Sequence, residues 1–134
     1  MEIDHITVYV GNYEAGKRFY EETLAPLGLV PLLDWPDARR VYFGRPGEPS
    51  SLWLIESELA AGRLEIALPA DDPGAIHAFY GTAIAAGARS EWEPGVRPEY
   101  HRDYYAARVL DFDGNSIEVV YRGAAAEAFA TEAA

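Results

Sequence analysis

The chain contains two copies of one pattern, separated by an offset of 60 residues. A β-rich segment, a helix signal and an aromatic pair recur in the same order in both copies. The aligned pairs are His5 with Glu65, Asn12 with Asp72, Ala15 with Ala75, Phe19-Tyr20 with Phe79-Tyr80, and Leu24 with Ile84. A unit of roughly 60 residues buries too little core to fold well by itself. We therefore predict that the two copies pack together as one domain.

Each copy predicts one strand, one helix and three further strands. Alternating apolar residues mark the strands, and Asn12 and Asp72 are suited to cap the helices. In the first copy the predicted strands are residues 3–10, 29–33, 38–43 and 52–55, with a helix at 13–24. In the second they are residues 63–68, 89–92, 104–110 and 116–121, with a helix from 72 to about 86 and a loop at 93–102. Residues 1–122 form the predicted domain, with modules at about 1–60 and 61–122, and residues 123–134 form an Ala/Glu-rich tail.

Composition excludes several classes of protein. The 22 acidic and 11 basic residues give a net charge of −11, which disfavours nucleic acids and anionic membranes as partners. The absence of cysteine excludes disulfides and thiolate metal sites. The sequence lacks an apolar run of the roughly 20 residues that a membrane helix needs, and no signal peptide is evident at the N-terminus. We expect a cytoplasmic protein.

Strand alternation places polar groups opposite an aliphatic face. His5 in the first strand, Glu65 in the equivalent strand and Glu118 in the last strand all lie on this opposite face. If the sheet curls, the three side chains converge, and imidazole and carboxylate groups suit a divalent metal. The alternative is that each is simply a solvated polar residue on an outer strand face.

Several segments resemble the vicinal oxygen chelate superfamily, which includes glyoxalase I, ring-cleaving dioxygenases and bleomycin resistance proteins. The resemblance is carried by Asp4-His5-Ile6, by the Phe-Tyr pair of each helix, by residues 97–107, and most specifically by the segment from Leu110 to Glu118. It implies an α+β fold in which tandem βαβββ modules form a curled mixed sheet, or cup.

The resemblance also implies metal ligands on the first and last strands of each module. His5 and Glu118 match ligand positions, whereas Glu65 stands where histidine is usual and Trp53 stands where a ligand is usual. A site of His5, Glu65 and Glu118 could hold Mn, Fe, Ni, Zn or Mg. The alternative is that no metal binds and that one of the carboxylates is protonated because of like-charge repulsion.

Other residues complete the predicted site. Glu118 and His101 are the candidates for moving a proton, because histidine titrates near neutral pH. The expected substrate-binding residues are Tyr9, Trp53, Tyr100, Tyr104, Tyr105 and Arg108. The alternative for the tyrosines is aromatic packing beneath a long loop. Arg108 could pair with an anionic substrate or with Glu118, and the alternative is a surface salt bridge. We expect His77 to be a surface residue of the second helix.

Two functions follow from the resemblance. The first is a divalent-metal-dependent lyase, isomerase or dioxygenase that acts on a small oxygenated molecule in the cup, and the sequence leans towards such an enzyme. The second is a metal-free drug-binding protein of the bleomycin-resistance type, for which Trp53 and the acidic balance favour a cationic guest. Because superfamily members commonly dimerise, we expect a homodimer.

Overall fold

The computed structural model describes residues 3–60, 62 and 64–123, in two successive β-α-β-β-β modules. The first module contains β1 (His5–Val10), α1 (Tyr13–Leu24), β2 (Val30–Trp35), β3 (Arg40–Gly44) and β4 (Ser51–Glu56). The second contains β5 (Glu65–Pro69), α2 (Pro73–Ala85), β6 (Arg89–Val96), β7 (Tyr104–Leu110) and β8 (Ser116–Arg122). The predicted α+β fold with tandem modules is confirmed. Apart from residue 123, the predicted tail lies outside the described residues.

Both long helices begin in the way that the repeat predicts. The side chain of Asn12 accepts a hydrogen bond from the backbone N–H of Ala15, and Asp72 accepts the equivalent bond from Ala75, both at 2.9 Å. Each cap satisfies an N–H group that has no partner within its helix. Pro73 fits the first position of α2 because its missing N–H would be unpaired there.

The modules form two four-stranded mixed sheets with the same topology. The strand orders are β1-β4-β3-β2 and β5-β8-β7-β6, and only the β1–β4 and β5–β8 pairs are parallel. In the first sheet Trp53 lies opposite Thr7 and Tyr42. In the second sheet Glu118 lies opposite Ala67 and Arg108. Trp53 and Glu118 therefore occupy equivalent positions.

Strand β6 is longer than the sequence predicts. It continues to Val96, although residues 93–96 were expected to begin a loop because they contain Pro94 and Gly95. The register between β6 and β7 shifts between Trp92 and Gly95, which leaves Pro94 within an irregularity. A proline is tolerated at such a bulge because no ladder hydrogen bond is required from it.

The two helices lie between the two sheets. Helix α1 packs on β2, β3 and β4, helix α2 packs on β6, β7 and β8, and the helices pack on each other. The inner faces of the sheets join the helices in one core, which includes Val8, Phe43, Leu54, Ile117 and Val119, all completely buried. Each sheet therefore keeps one open face, and the two open faces look to opposite sides of the chain.

The segment Asp111-Phe112-Asp113-Gly114-Asn115, between β7 and β8, joins the modules. The carboxylate of Asp111 is buried and accepts hydrogen bonds from the Tyr20 hydroxyl at 2.5 Å and from the backbone N–H of Asn115 at 2.8 Å. Asp113 accepts one from the backbone N–H of Gly11 at 2.9 Å. The most specific segment of the sequence thus has a structural role, since it ties α1 and the end of β1 to the second module.

In the part of the chain that the structure describes, neither helix has the length and the apolar character needed to span a membrane.

Candidate functional site

The open face of the first sheet carries a stack of aromatic rings. The imidazole of His5 lies 3.6 Å from the indole of Trp53 with 8° between the planes, and Tyr42 lies 4.3 Å from Trp53 at 4°. The ring of Trp35 meets Tyr42 edge-on at 4.8 Å. Because these residues come from all four strands, the register of the whole sheet aligns them. We call this surface, with Tyr9 and Leu33, the aromatic face.

Much of the aromatic face is open to solvent. Tyr9 is 52% exposed, Leu33 53% and Trp35 41%, although all three are large apolar residues. The polar groups at its edge are satisfied locally: the Trp53 Nε1–H donates to Ser51 Oγ at 2.8 Å, and His5 Nδ1 lies 2.8 Å from Asp4 Oδ1. A contiguous exposed patch of this kind typically marks a binding surface.

The open face of the second sheet carries an ionic cluster at the equivalent positions. Arg108 Nη2 donates to Glu118 Oε1 at 2.8 Å and to Glu65 Oε1 at 2.9 Å. The Tyr104 hydroxyl donates to the other oxygen of Glu118, which is only 3% exposed. We call Glu65, Tyr104, Arg108 and Glu118 the Arg108 cluster. Both oxygens of Glu118 therefore already accept hydrogen bonds.

Burial and charge determine the protonation states in the Arg108 cluster. Burial by itself would lower the pKa of Arg108, but the hydrogen bond to Glu118 and the charges of Glu118 and Glu65 outweigh it, so this pKa is raised. Burial, together with the hydrogen bond to Glu118, raises the pKa of Tyr104 to about 12. At neutral pH Arg108 is therefore charged and the Tyr104 hydroxyl keeps its proton.

Aromatic rings enclose the Arg108 cluster. The guanidinium carbon of Arg108 lies 3.8 Å from the centroid of Trp92, and that of Arg97 lies 4.6 Å from the same ring. Tyr100 lies 5.2 Å from Tyr104 and 5.9 Å from Trp92. Cation–π contacts of this kind hold a guanidinium in place by electrostatic attraction to the ring face.

The structure divides the predicted site residues among four places, one of which is the loop that holds His101. His5, Tyr9 and Trp53 lie on the aromatic face, and the Arg108 cluster and Tyr100 lie on the open face of the second sheet. Tyr105 lies on the inner face of its sheet, is 1% exposed, and contacts His77 Nε2 through its hydroxyl at 2.6 Å. The structure therefore does not bring it together with the others. His77 is exposed, as expected.

His101 lies in the loop between β6 and β7. It is exposed, and its Nδ1 accepts a hydrogen bond from the backbone N–H of Asp103 at 3.1 Å. This contact lies within its own loop, and its predicted role in moving a proton stays a prediction.

Sequence reasoning missed three aromatic residues of the two faces: Trp35, Tyr42 and Trp92. Tyr42 is equivalent to Arg108 in the sheet register, and Trp92 lies opposite Arg108. The offset of 60 does not pair Tyr42 with Arg108, because loops of unequal length separate the later strands of the two modules. Trp35 lies between the predicted strands 29–33 and 38–43, so no strand pattern placed it on a face.

The predicted metal ligands do not fit a metal site within one chain. Among residues 3–60, 62 and 64–123, no three His, Cys, Asp or Glu side chains form a group that could hold a metal ion. His5 lies on the open face opposite to that of Glu65 and Glu118, and Arg108 bonds to both carboxylates. A metal at His5, Glu65 and Glu118 stays a prediction that this donor set does not support.

Comparison with known proteins agrees with this architecture. The profile of the glyoxalase/bleomycin resistance protein/dioxygenase superfamily matches residues 2–119. No curated protein gives a significant match to the sequence. A glyoxalase/bleomycin resistance protein from Albidiferax ferrireducens is similar in structure, with 25% identity, a TM-score of 0.76, and coverage of 90% of this chain and 98% of that chain.

Two further solved structures share the fold. An antibiotic binding protein from a Streptomyces species has 23% identity and a TM-score of 0.66, over 92% of this chain and 97% of that chain. A lactoylglutathione lyase from Agrobacterium tumefaciens has 21% identity and a TM-score of 0.64, over 90% of this chain and 92% of that chain. The family profile covers most of the chain, and the two modules have the topology of these structures. The chain therefore belongs to the glyoxalase/bleomycin resistance protein/dioxygenase superfamily.

Proposed function

We propose that this protein binds a flat, positively charged organic molecule and that it does so without a metal. The observation that carries this proposal is the position of Arg108, whose guanidinium bonds to both carboxylates that were expected to hold a metal. With that position filled by a protein side chain, the site offers recognition by stacking and charge.

The aromatic face supports a flat guest. Its stacked rings include Trp53 between His5 and Tyr42, and the neighbouring Trp35 is 41% exposed. Aromatic rings bind other flat rings by offset stacking and attract cations to their faces. Such a surface gains affinity for a planar cation from both contributions.

The charge of the site supports a cationic guest. The Glu65 side chain is 64% exposed, so a cationic guest can reach its carboxylate from solvent, although Arg97 and Arg122 also lie against rings of this face. The chain as a whole carries a net charge of −11, which attracts cations over longer distances. An antibiotic binding protein shares the fold, which supports a binding function for this architecture.

We propose further that a homodimer forms the cup. In one chain the two open faces look to opposite sides, so neither is closed into a pocket by the other. If the aromatic face of one copy met the Arg108 cluster of a second copy, two identical cups would form with a twofold axis between them. The exposure of Tyr9, Leu33 and Trp35 supports this arrangement, because contact would remove their surface from water.

A metal-dependent lyase, isomerase or dioxygenase is the competing proposal. His5 and Glu118 match ligand positions of the superfamily, and a lactoylglutathione lyase shares the fold. This function requires Arg108 to leave Glu65 and Glu118, which would expose two carboxylates to each other. The two proposals differ in whether removing divalent metal abolishes binding.

Fluorescence titration tests the binding function. The three tryptophans report on both open faces, and EDTA-treated protein should bind ethidium, a flat aromatic cation. Pyrene-1-sulfonate, a flat aromatic anion, should bind at least tenfold more weakly. Trp53→Leu should weaken ethidium binding about tenfold, because it removes the indole on which the guest stacks. This factor corresponds to ~1.4 kcal/mol.

Tyr80→Phe is the matched control for this titration. Tyr80 lies on α2, where its hydroxyl donates to Ser90 at 2.8 Å, so its removal should leave ethidium binding unchanged. Binding that appears only after Mn²⁺ is added, or a preference for the anion, would contradict the proposal.

A further inference from the structure

We infer that the guanidinium of Arg108 occupies the position on the second sheet's open face where a divalent metal would bind. It thereby prevents divalent metals from binding to Glu65 and Glu118. This inference deepens the proposed function, on whose metal-free binding it rests. It identifies the residue that makes the site independent of metal.

The geometry places one guanidinium nitrogen between two carboxylates from different strands. Arg108 Nη2 lies 2.9 Å from Glu65 Oε1 on β5 and 2.8 Å from Glu118 Oε1 on β8. Oxygen ligands bind Ca²⁺ at about 2.3–2.6 Å, and Mg²⁺ more closely. The two oxygens would therefore need to move by only a few tenths of an ångström to share a divalent ion in place of this nitrogen.

The surroundings keep the guanidinium in this position. The side chain of Arg108 is 15% exposed, that of Glu118 is 4% exposed, and the indole of Trp92 lies 3.8 Å from the guanidinium carbon. An arginine is always charged in proteins, so this cation is present at every physiological pH. A divalent ion that approached Glu65 and Glu118 while the guanidinium stayed in place would lie within a few ångströms of a like charge, which electrostatics disfavours.

The guanidinium of Arg108 does not use all of its hydrogen-bond donors. Within the part of the chain that the structure describes, its Nε–H is buried and has no hydrogen-bond partner. The side chain is therefore held by its two carboxylates and by Trp92, and not by a complete set of donors and acceptors. Removing the guanidinium should leave two neighbouring carboxylates without a counter-charge, and a pair of carboxylates is a ligand set that hard divalent ions accept.

The test measures Mn²⁺ binding to EDTA-treated protein by isothermal titration calorimetry and by the electron paramagnetic resonance signal of free Mn²⁺. Arg108→Gln should bind Mn²⁺ at least tenfold more tightly than the wild type. Adding Glu118→Gln to this variant should return the affinity to that of the wild type. Arg108→Lys, which keeps a cation at this position, should behave like the wild type.

Circular dichroism establishes that each variant is folded, and Arg108→Met, which keeps an apolar stem against Trp92, serves if Arg108→Gln does not fold. A folded Arg108→Gln or Arg108→Met protein that binds Mn²⁺ no more tightly than the wild type would overturn the inference. So would tight Mn²⁺ binding by the wild type that Glu118→Gln abolishes. Because Mn²⁺ is measured without any organic guest, a failure of ethidium binding is a separate result and leaves this test intact.

Discussion

At the scale of single residues, one position of the repeat has diverged into two kinds of chemistry. Trp53 and Glu118 occupy equivalent places in the two sheets, and each interacts with the equivalent cross-strand neighbour, Tyr42 or Arg108. In the first sheet this pair stacks two rings, and in the second it forms a partly buried ion pair. The two modules share one backbone topology, but the open face of the first is aromatic and that of the second is ionic.

Tyr104→Phe tests the hydrogen bond within the ionic face. The variant should lose about 1.5–3 kcal/mol of stability at pH 8, the range for a hydrogen bond to a charged group. The folded pKa of Tyr104 is raised to about 12, whereas an unfolded tyrosine titrates near about 10. Its contribution is thus fully present below the unfolded pKa and is lost as the pH rises through the folded pKa.

Urea denaturation at pH 8 and at pH 11 to 12 measures this effect. The stability difference between wild type and Tyr104→Phe should shrink at the higher pH. Tyr100→Phe is the control, because Tyr100 is 57% exposed and its hydroxyl should contribute less than about 0.5 kcal/mol. A difference that is the same at both pH values would contradict the assigned pKa shift.

At the scale of elements, the two copies of the repeat have equivalent hydrogen bonds at the helix starts but different ones where the modules contact each other. Asn12 and Asp72 cap their helices with the same bond at the same distance. Tyr20 and Tyr80 are also equivalent in the repeat, but the Tyr20 hydroxyl reaches the buried Asp111 while that of Tyr80 reaches Ser90. Only the first of these bonds crosses between the modules.

This difference predicts unequal effects of the same substitution. Tyr20→Phe should destabilise the protein by about 2 kcal/mol, because it leaves a buried carboxylate short of one donor. Tyr80→Phe, the matched control, should change stability by less than about 0.5 kcal/mol. Thermal and urea unfolding of both variants measure the two values, and equal effects would show that the contact between α1 and the Asp111 turn is not specially important.

At the scale of the whole molecule, the layer order of sheet, two helices and sheet leaves both open faces accessible to other molecules. The exposed apolar side chains of the first sheet are the part of this surface that water solvates least well. This distribution is the physical basis of the proposed homodimer.

Leu33→Glu tests the homodimer. Leu33 is 53% exposed on the aromatic face, so the substitution should place a charge in the dimer contact and shift the sedimentation of the protein from dimer to monomer. Leu59→Glu is the control, because Leu59 is 88% exposed in a loop. Sedimentation of the wild type as a monomer at high micromolar concentration would rule out the proposed arrangement.

Much of the fold could be predicted because its determinants are local. The helix α1 and the strand β7 have the predicted bounds, since capping residues and apolar alternation define them. Strand β6 was predicted too short, because bulge formation around Pro94 depends on the neighbouring strand. Trp35 was similarly missed, because its ring contact with Tyr42 depends on how β2 pairs with β3.

The sequence by itself determined the doubled module and the first residues of the helices. It also determined that His5, Glu65 and Glu118 lie on the outer faces of their strands. Only the tertiary structure decided that His5 and the two glutamates lie on opposite open faces, because the helices of the two modules pack against each other between the sheets. It also decided that Arg108 lies between Glu65 and Glu118. That contact depends on the register of three strands that are distant in sequence, and residue spacing along the chain does not encode it.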